Sequence, residues 1–170
     1  MTASFDTVRA DEPLSVPDRH VTTSKGGRFQ VVSDPKGETK CTDSRDAKTL
    51  WSIPRWFRKL VVSDDGHYLV TAYDGLNLIP QDYDGKMVLI TFWKDGKILR
   101  EVTLDELIPN KKVLRKTVSH YAWGALSGFR EDGTVEIRLV DDTRLIYNAK
   151  TGRRAEQAGG GQPATRPESK

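Results

Sequence analysis

A glycine turn feeding an apolar strand constrains this chain more than any other feature, and residues 56–104 show it most plainly. Asp64-Asp65-Gly66 parts residues 59–63 from residues 67–73, and Lys94-Asp95-Gly96 parts residues 87–93 from residues 98–103. All four runs are rich in β-branched, aromatic or other apolar residues. An Asp-Gly pair tolerates the positive φ that a tight reversal needs, so each reads as a hairpin. Met87-Val88-Leu89-Ile90-Thr91-Phe92-Trp93 is apolar at both parities, which places that strand inside a sheet with both faces covered. Its partner alternates, with Ile98 and Val102 on one face and Leu99 and Glu101 on the other, so one of its faces meets water.

The half-motif recurs. Gly27-Arg28-Phe29-Gln30-Val31-Val32, Gly66-His67-Tyr68-Leu69-Val70-Thr71 and Gly133-Thr134-Val135-Glu136-Ile137-Arg138 share one pattern. A second half-motif follows each copy, as Asp43-Ser44-Arg45-Asp46-Ala47-Lys48, as Phe92-Trp93-Lys94-Asp95-Gly96-Lys97, and as Asn148-Ala149-Lys150-Thr151-Gly152-Arg153. The middle copy carries an extra loop, residues 74–85. Repeats of this size mark stacked β units. Residues 43–51 and 148–153 resemble the turn and strand of β-propeller blades of the WD-repeat or quinoprotein-like kind, in which a D-x-x-T-G-K turn leads into an apolar strand with Trp. The resemblance implies an all-β, antiparallel protein of three blade-like units, about nine or ten strands in all, and a binding or scaffold role. Propellers ordinarily have four or more blades. Three arrangements therefore stay open: an open twisted sheet, a stack of sheets, and a ring closed as a homo-oligomer.

One short helical insertion interrupts the strands. Thr103-Leu104-Asp105-Glu106 has capping-box spacing, with Thr103 as N-cap and Glu106 reaching back to it, and Pro109 stops the helix. Residues 110–117 are expected to form a second short helix bearing Lys111, Lys112, Arg115 and Lys116, held to the sheet by Val113, Leu114 and Val118. One further strand is read through Tyr121, Trp123, Leu126 and Phe129, with Gly124 and Gly128 marking a bulge or a close backbone approach.

The ends differ from the middle. Residues 1–23 are polar with Pro13 and Pro17 and read as a flexible arm with one short edge strand near His20-Val21-Thr22. Residues 24–153 read as a single β-rich domain, and residues 154–170 as a disordered Gly- and Pro-rich tail. The net charge of +3 mixes both signs, which does not point to nucleic acid. No apolar run approaches the roughly 18 residues of a membrane span. The N-terminus has no apolar h-region, so the chain reads as cytoplasmic as written, or as periplasmic or secreted if a leader has been removed.

Chemistry is sparse. Cys41 and the three histidines lack metal-ligand spacing, Asp82-Tyr83-Asp84-Gly85 lacks the rest of a calcium loop, and no phosphate or dinucleotide loop occurs. No catalytic residue, metal ligand or cofactor is therefore assigned. Ser119-His120-Tyr121 with Trp123 is the most site-like cluster, because imidazole ordinarily titrates near neutrality. A hydrolase-like reading would need His120 to meet Asp74 or Asp82. The stretch Trp51-Ser52-Ile53-Pro54-Arg55-Trp56-Phe57-Arg58 concentrates residues that interfaces favour, with Trp51 and Phe57 expected in the core. The inserted loop Tyr73-Asp74-Gly75-Leu76-Asn77-Leu78-Ile79-Pro80 is the second candidate surface. The expected activity is non-catalytic binding of another protein, as a scaffold or as an inhibitor or immunity-type protein. Its contacts would come from Arg55, Trp56, Arg58, Tyr73, Asp74 and Asn77, with His120, Tyr121 and Trp123 as further candidates.

Overall fold

The computed structural model describes residues 14–155, so residues 1–13 of the expected arm and 156–170 of the expected tail lie outside the described residues. The first sheet runs β1 (His20–Thr23), β2 (Phe29–Ser33), β3 (Thr39–Asp43) and β4 (Thr49–Ile53), each antiparallel to the last. The edge strand expected near His20 thus belongs to this sheet, and the folded body begins before Ser24. The second sheet starts with β5 (Leu60–Val62) and β6 (Tyr68–Ala72). The chain then leaves as β7 (Leu78–Pro80) and returns as β8 (Val88–Lys94) and β9 (Lys97–Thr103). After α1 (Leu104–Leu107) and a 3-10 turn at Lys111–Val113 come β10 (Arg115–Lys116) and β11 (His120–Ala122). The last sheet is β12 (Gly124–Phe129), β13 (Thr134–Leu139), β14 (Arg144–Asn148) and β15 (Arg153–Arg154).

The protein is all-β, as expected, but it has four sheets and fifteen strands among the described residues, not three units and nine or ten strands. The fourth sheet, in the order β10-β11-β7, is made from two insertions, with His120 opposite Pro80, Tyr121 opposite Ile79 and Ala122 opposite Leu78. The two insertions pair edge to edge, and Ile79 packs from this sheet into the core with Trp123. Strands of two or three residues are also too short for a period to show in the sequence. The repeat itself falls on equivalent strands. Its first half occupies β2, β6 and β13, and its second half the turns entering β4, β9 and β15. Gly27, Gly66 and Gly133 have nearly the same φ, at 78°, 74° and 76°. The Ser24 hydroxyl accepts from the Phe29 N–H at 3.2 Å, as the Ser63 hydroxyl does from Tyr68 at 3.0 Å.

The second sheet lies between the first and the last, with β1 and β2 against β5 and β12 against β5 and β6. Two cores result. Phe29, Val31, Cys41, Trp51 and Ile53 of the first sheet pack with Leu69 and Trp93. Val70 and Phe92 pack on the other side with Leu126, Val135, Ile137 and Tyr147. Leu69 and Val70 of β6, and Phe92 and Trp93 of β8, therefore enter different cores, while Leu89 and Ile90, at a register shift, both enter the second. The far faces of the end sheets are polar, with Gln30 and Lys40 on one and Arg138 and Arg144 on the other, and the stack is open.

Several local expectations are corrected. Leu99 bulges out of β9, since Phe92 pairs with Arg100 while Trp93 pairs with Ile98, so Ile98 and Val102 end on opposite faces. Ile98 is 56% exposed and Val102 is buried. The Thr103 hydroxyl caps α1 by accepting from the Glu106 N–H at 3.3 Å, but the Glu106 carboxylate pairs with Arg100 and does not reach back. The second helix is only a single 3-10 turn capped by Asn110, and Val118 is 80% exposed, holding nothing to the sheet. The strand expected across Tyr121 and Phe129 is two strands in different sheets, β11 and β12, hinged at Trp123. The bulge expected at its glycines lies between Leu126 and Gly128.

Candidate functional site

Residues 54–59 carry the chain from the first sheet to the second, and buried hydroxyls fix their path. The Phe57 N–H donates to the Ser33 hydroxyl at 2.9 Å, and the Thr39 hydroxyl donates to the Arg55 carbonyl at 2.6 Å. Phe57 is thereby driven into the core beside Trp93, with ring centroids 5.4 Å apart. Trp51 is buried too, its indole N–H donating to the Gly66 carbonyl at 2.7 Å. Arg55, Trp56 and Arg58 are left on the outer side.

Asp74, at the head of the inserted loop, joins this segment to the loop. One carboxylate oxygen lies 3.3 Å from the Arg55 guanidinium, and the other accepts from the Arg58 N–H at 3.4 Å. Arg55 also lies over the Phe57 ring, 5.3 Å from its centroid. A small cavity of about 150 Å³ opens here, lined by Arg55, Phe57, Tyr73, Asp74 and Glu101 among others. Five of the expected site residues, Arg55, Trp56, Arg58, Tyr73 and Asp74, thus belong to one surface although up to 19 positions separate bonded pairs.

Trp56 is half-buried, not free on that surface. Its indole N–H donates to the Asp18 carbonyl at 2.9 Å, the His20 ring meets it edge-on, and Arg58 stacks 5.0 Å from its ring centroid. Arg58 also donates to the Ser15 hydroxyl at 3.1 Å. Residues 15–20 therefore lie across the Trp-Arg segment. The sequence carries no signal for that cover, because Ser15 and Asp18 sit in a polar stretch without a pattern.

The remaining candidates are elsewhere. His120 on β11 has its Nδ1 2.7 Å from the Ser119 hydroxyl, and its backbone is tied to Thr117. No bond joins it to Asp74 or Asp82, and none of the three cavities described in this section includes it. The carboxylate meeting that a hydrolase-like site needs is not formed. Tyr121 packs edge-on against Tyr83. Trp123 is fully buried. Its indole N–H donates to the Leu76 carbonyl at 2.7 Å and its backbone N–H to the Asn77 carbonyl at 3.0 Å, so it anchors the inserted loop from below. Asn77 and Trp123 line a second cavity of about 350 Å³ with Lys59, Leu76, Ala125 and Leu126. Leu76 belongs to the expected loop surface, but Lys59 and Ala125 were not expected there, and nothing local announces the Leu76–Trp123 contact across 47 positions.

At the opposite end of the sheets the hairpin turns converge around a cleft of about 470 Å³ that includes Asp64, Asp65, Glu131, Asp132 and Lys150. Lys25 of the first sheet's turn reaches Glu131 at 3.0 Å, and the Gly26 N–H donates to Asp64 at 2.6 Å. Partial burial opposes the charge on Asp65, but bonds from the Ser63 hydroxyl and the His67 N–H outweigh it and hold the carboxyl below its usual range. Among the described residues no group of three or more His, Cys, Asp or Glu could hold a metal ion. No helix among them is long and apolar enough to cross a membrane.

No protein-family model matches the chain, and no curated protein sequence matches it. Solved structures do. A crystal structure of RRP9 WD40 repeats shares 13% identity over 80% of this chain and 36% of that one, with a TM-score of 0.44. A crystal structure of the eukaryotic initiation factor shares 17% identity over 82% of this chain and 31% of that one, with a TM-score of 0.47. The chain spans about a third of the length of each.

Proposed function

We propose that the protein is a non-catalytic protein-binding domain, its sheets acting as one rigid unit that presents Arg55, Trp56, Arg58 and the loop from Tyr73 to Pro80 to a protein partner. The observation that carries this reading is Asp74 bridging Arg55 and Arg58 over a backbone pinned by Ser33 and Thr39. Arg55 is exposed beside Asp74 on this support, with Trp56 and Arg58 half-buried next to them under residues 15–20, and a charged group held on a firm backbone is what an interface anchor requires. A scaffold and an inhibitor or immunity-type protein would both use such a surface.

The test is a pull-down from the source organism's lysate with wild type and a Trp56→Ala, Arg58→Ala double variant, first shown folded by circular dichroism. A partner held by wild type and lost by the variant is the expected result. Equal retention by both removes the Trp-Arg surface from the account.

A further inference from the structure

The second cavity has features that the Asp74 surface lacks. Its floor is apolar, built from Ala72, Trp123 and Leu126, and Ala125 forms an exposed wall. Its lip is Leu76, which is 37% exposed and held at φ 58°, a left-handed conformation that a leucine rarely adopts. That conformation is over-determined: the Trp123 indole holds the Leu76 carbonyl, and the Leu76 N–H donates to Tyr73 at 3.0 Å. The loop is therefore locked with an apolar side chain at the rim of an apolar hollow. Strain of this kind gathers at binding sites, where the surrounding structure maintains it. Lys59 also lines the cavity; its backbone carbonyl is fixed by the Ala72 N–H at 3.0 Å, and its side chain has no hydrogen bond or ion pair among the described residues.

We infer that this cavity docks one bulky apolar side chain of a partner protein, with a carboxylate on the neighbouring residue meeting Lys59. This deepens the binding reading above and rests on it, since Leu76 and Asn77 belong to the same inserted loop. The occupant follows from the lining. An apolar floor rewards burial of an aliphatic or aromatic group. The Lys59 side chain, unpaired among the described residues, attracts an anion and repels a cation. The hollow of about 350 Å³ is open to solvent on one side. A free small molecule gains affinity by having most of its surface enclosed, whereas a side chain delivered on a peptide needs only one well-packed anchor point.

The experiment is an amide and indole NMR titration of the full-length protein. The probe is an end-blocked pentapeptide, glycine-aspartate-leucine-glycine-serine, carried to millimolar concentration. The Trp123 indole N–H and the amides of Leu76, Asn77 and Ala125 report on the cavity. They are expected to shift together and saturably. Replacing the aspartate of the probe by asparagine should weaken binding by up to about fivefold, the upper end for an exposed ion pair. Replacing its leucine by serine should abolish the shifts. Lys59→Gln should erase the difference between the aspartate and asparagine probes. Ala125→Phe, at an exposed position, should fill the hollow and abolish the shifts without unfolding the protein. The proposal is overturned if the cavity resonances stay still, if the serine probe moves them equally, or if Lys59→Gln leaves the aspartate preference intact. It is also overturned if N-acetyl-leucine, a free small carboxylate, binds as well as the peptide. A silent cavity together with a successful pull-down defeats this pocket alone; failure of both defeats the binding reading.

Discussion

Gly66→Ala should damage this protein far more than the same change at its repeat equivalent, Gly133. Both glycines have a left-handed φ, 74° and 76°, at the same place in their sheets. Alanine in that conformation costs about 1–2 kcal/mol at either site. The surroundings differ. A Cβ on Gly133 would meet nothing within 4 Å, whereas one on Gly66 would lie 2.5 Å from Cδ1 and 2.8 Å from Cε1 of the Phe29 ring. Phe29 is buried in the core between the first two sheets and cannot swing aside freely. Overpacking of that kind adds about 1–3 kcal/mol. Gly66→Ala should therefore cost about 2–5 kcal/mol and Gly133→Ala about 1–2 kcal/mol. Urea unfolding followed by tryptophan fluorescence measures both. If the two variants lose the same stability, the turn of the second sheet is not wedged against the first, and the described arrangement of the sheets is wrong.

Other outcomes follow from single residues. Trp123→Phe should cost about 1–3 kcal/mol through a lost hydrogen bond and a partial void. It should also speed amide exchange at Leu76 and Asn77, while Trp56→Phe, at a half-buried site, should cost less than about 1 kcal/mol. Burial, with Asp43 nearby, pushes the Cys41 thiol up to about 11. Native protein at pH 8 should therefore resist iodoacetamide, with alkylation rising only as urea unfolds it. The folded-state pKa of Asp65 is lowered, so its contribution to stability is present above the ordinary carboxylate range near pH 4 and is lost as pH falls through the folded value. Ser63→Ala, which removes the main bond favouring the charge, should be less stable than wild type at pH 6, with the gap narrowing toward pH 2. Asp43→Ala should cost about 1–3 kcal/mol, because the carboxylate is buried beneath Arg28 and Arg45 at 2.7 and 3.2 Å.

The sheets were legible in the sequence wherever a strand was long and a turn had a chemical signature. Gly66 and Gly96 announced the second sheet, and the parity of β8 announced two covered faces. Trp51 and Phe57 were placed in the core by their neighbours. What stayed hidden was pairing across distance. Nothing near Ile79 or Tyr121 states that β7 and β11 will meet, because each strand has only three residues and its partner lies about 40 positions away. Leu99 shows how one bulged residue reverses a correct alternation. Among the site residues, Arg55 and Asp74 were both named without any sign that they would pair. The burial of Trp123 was not legible because aromatic residues favour interfaces and cores alike, and only its neighbours decide which. The cover over Trp56 by Asp18 and Ser15 had no pattern to read.

Site-specific photo-crosslinking in the source organism's cells tests the central proposal most directly. A photoreactive residue is placed at position 55, at position 76, or at position 40 on the polar far face of the first sheet. One discrete crosslinked protein is expected from positions 55 and 76, and none from position 40. Crosslinks from position 40 alone, or from none of the three, would contradict a binding surface on the inserted loop and the Arg55–Arg58 segment.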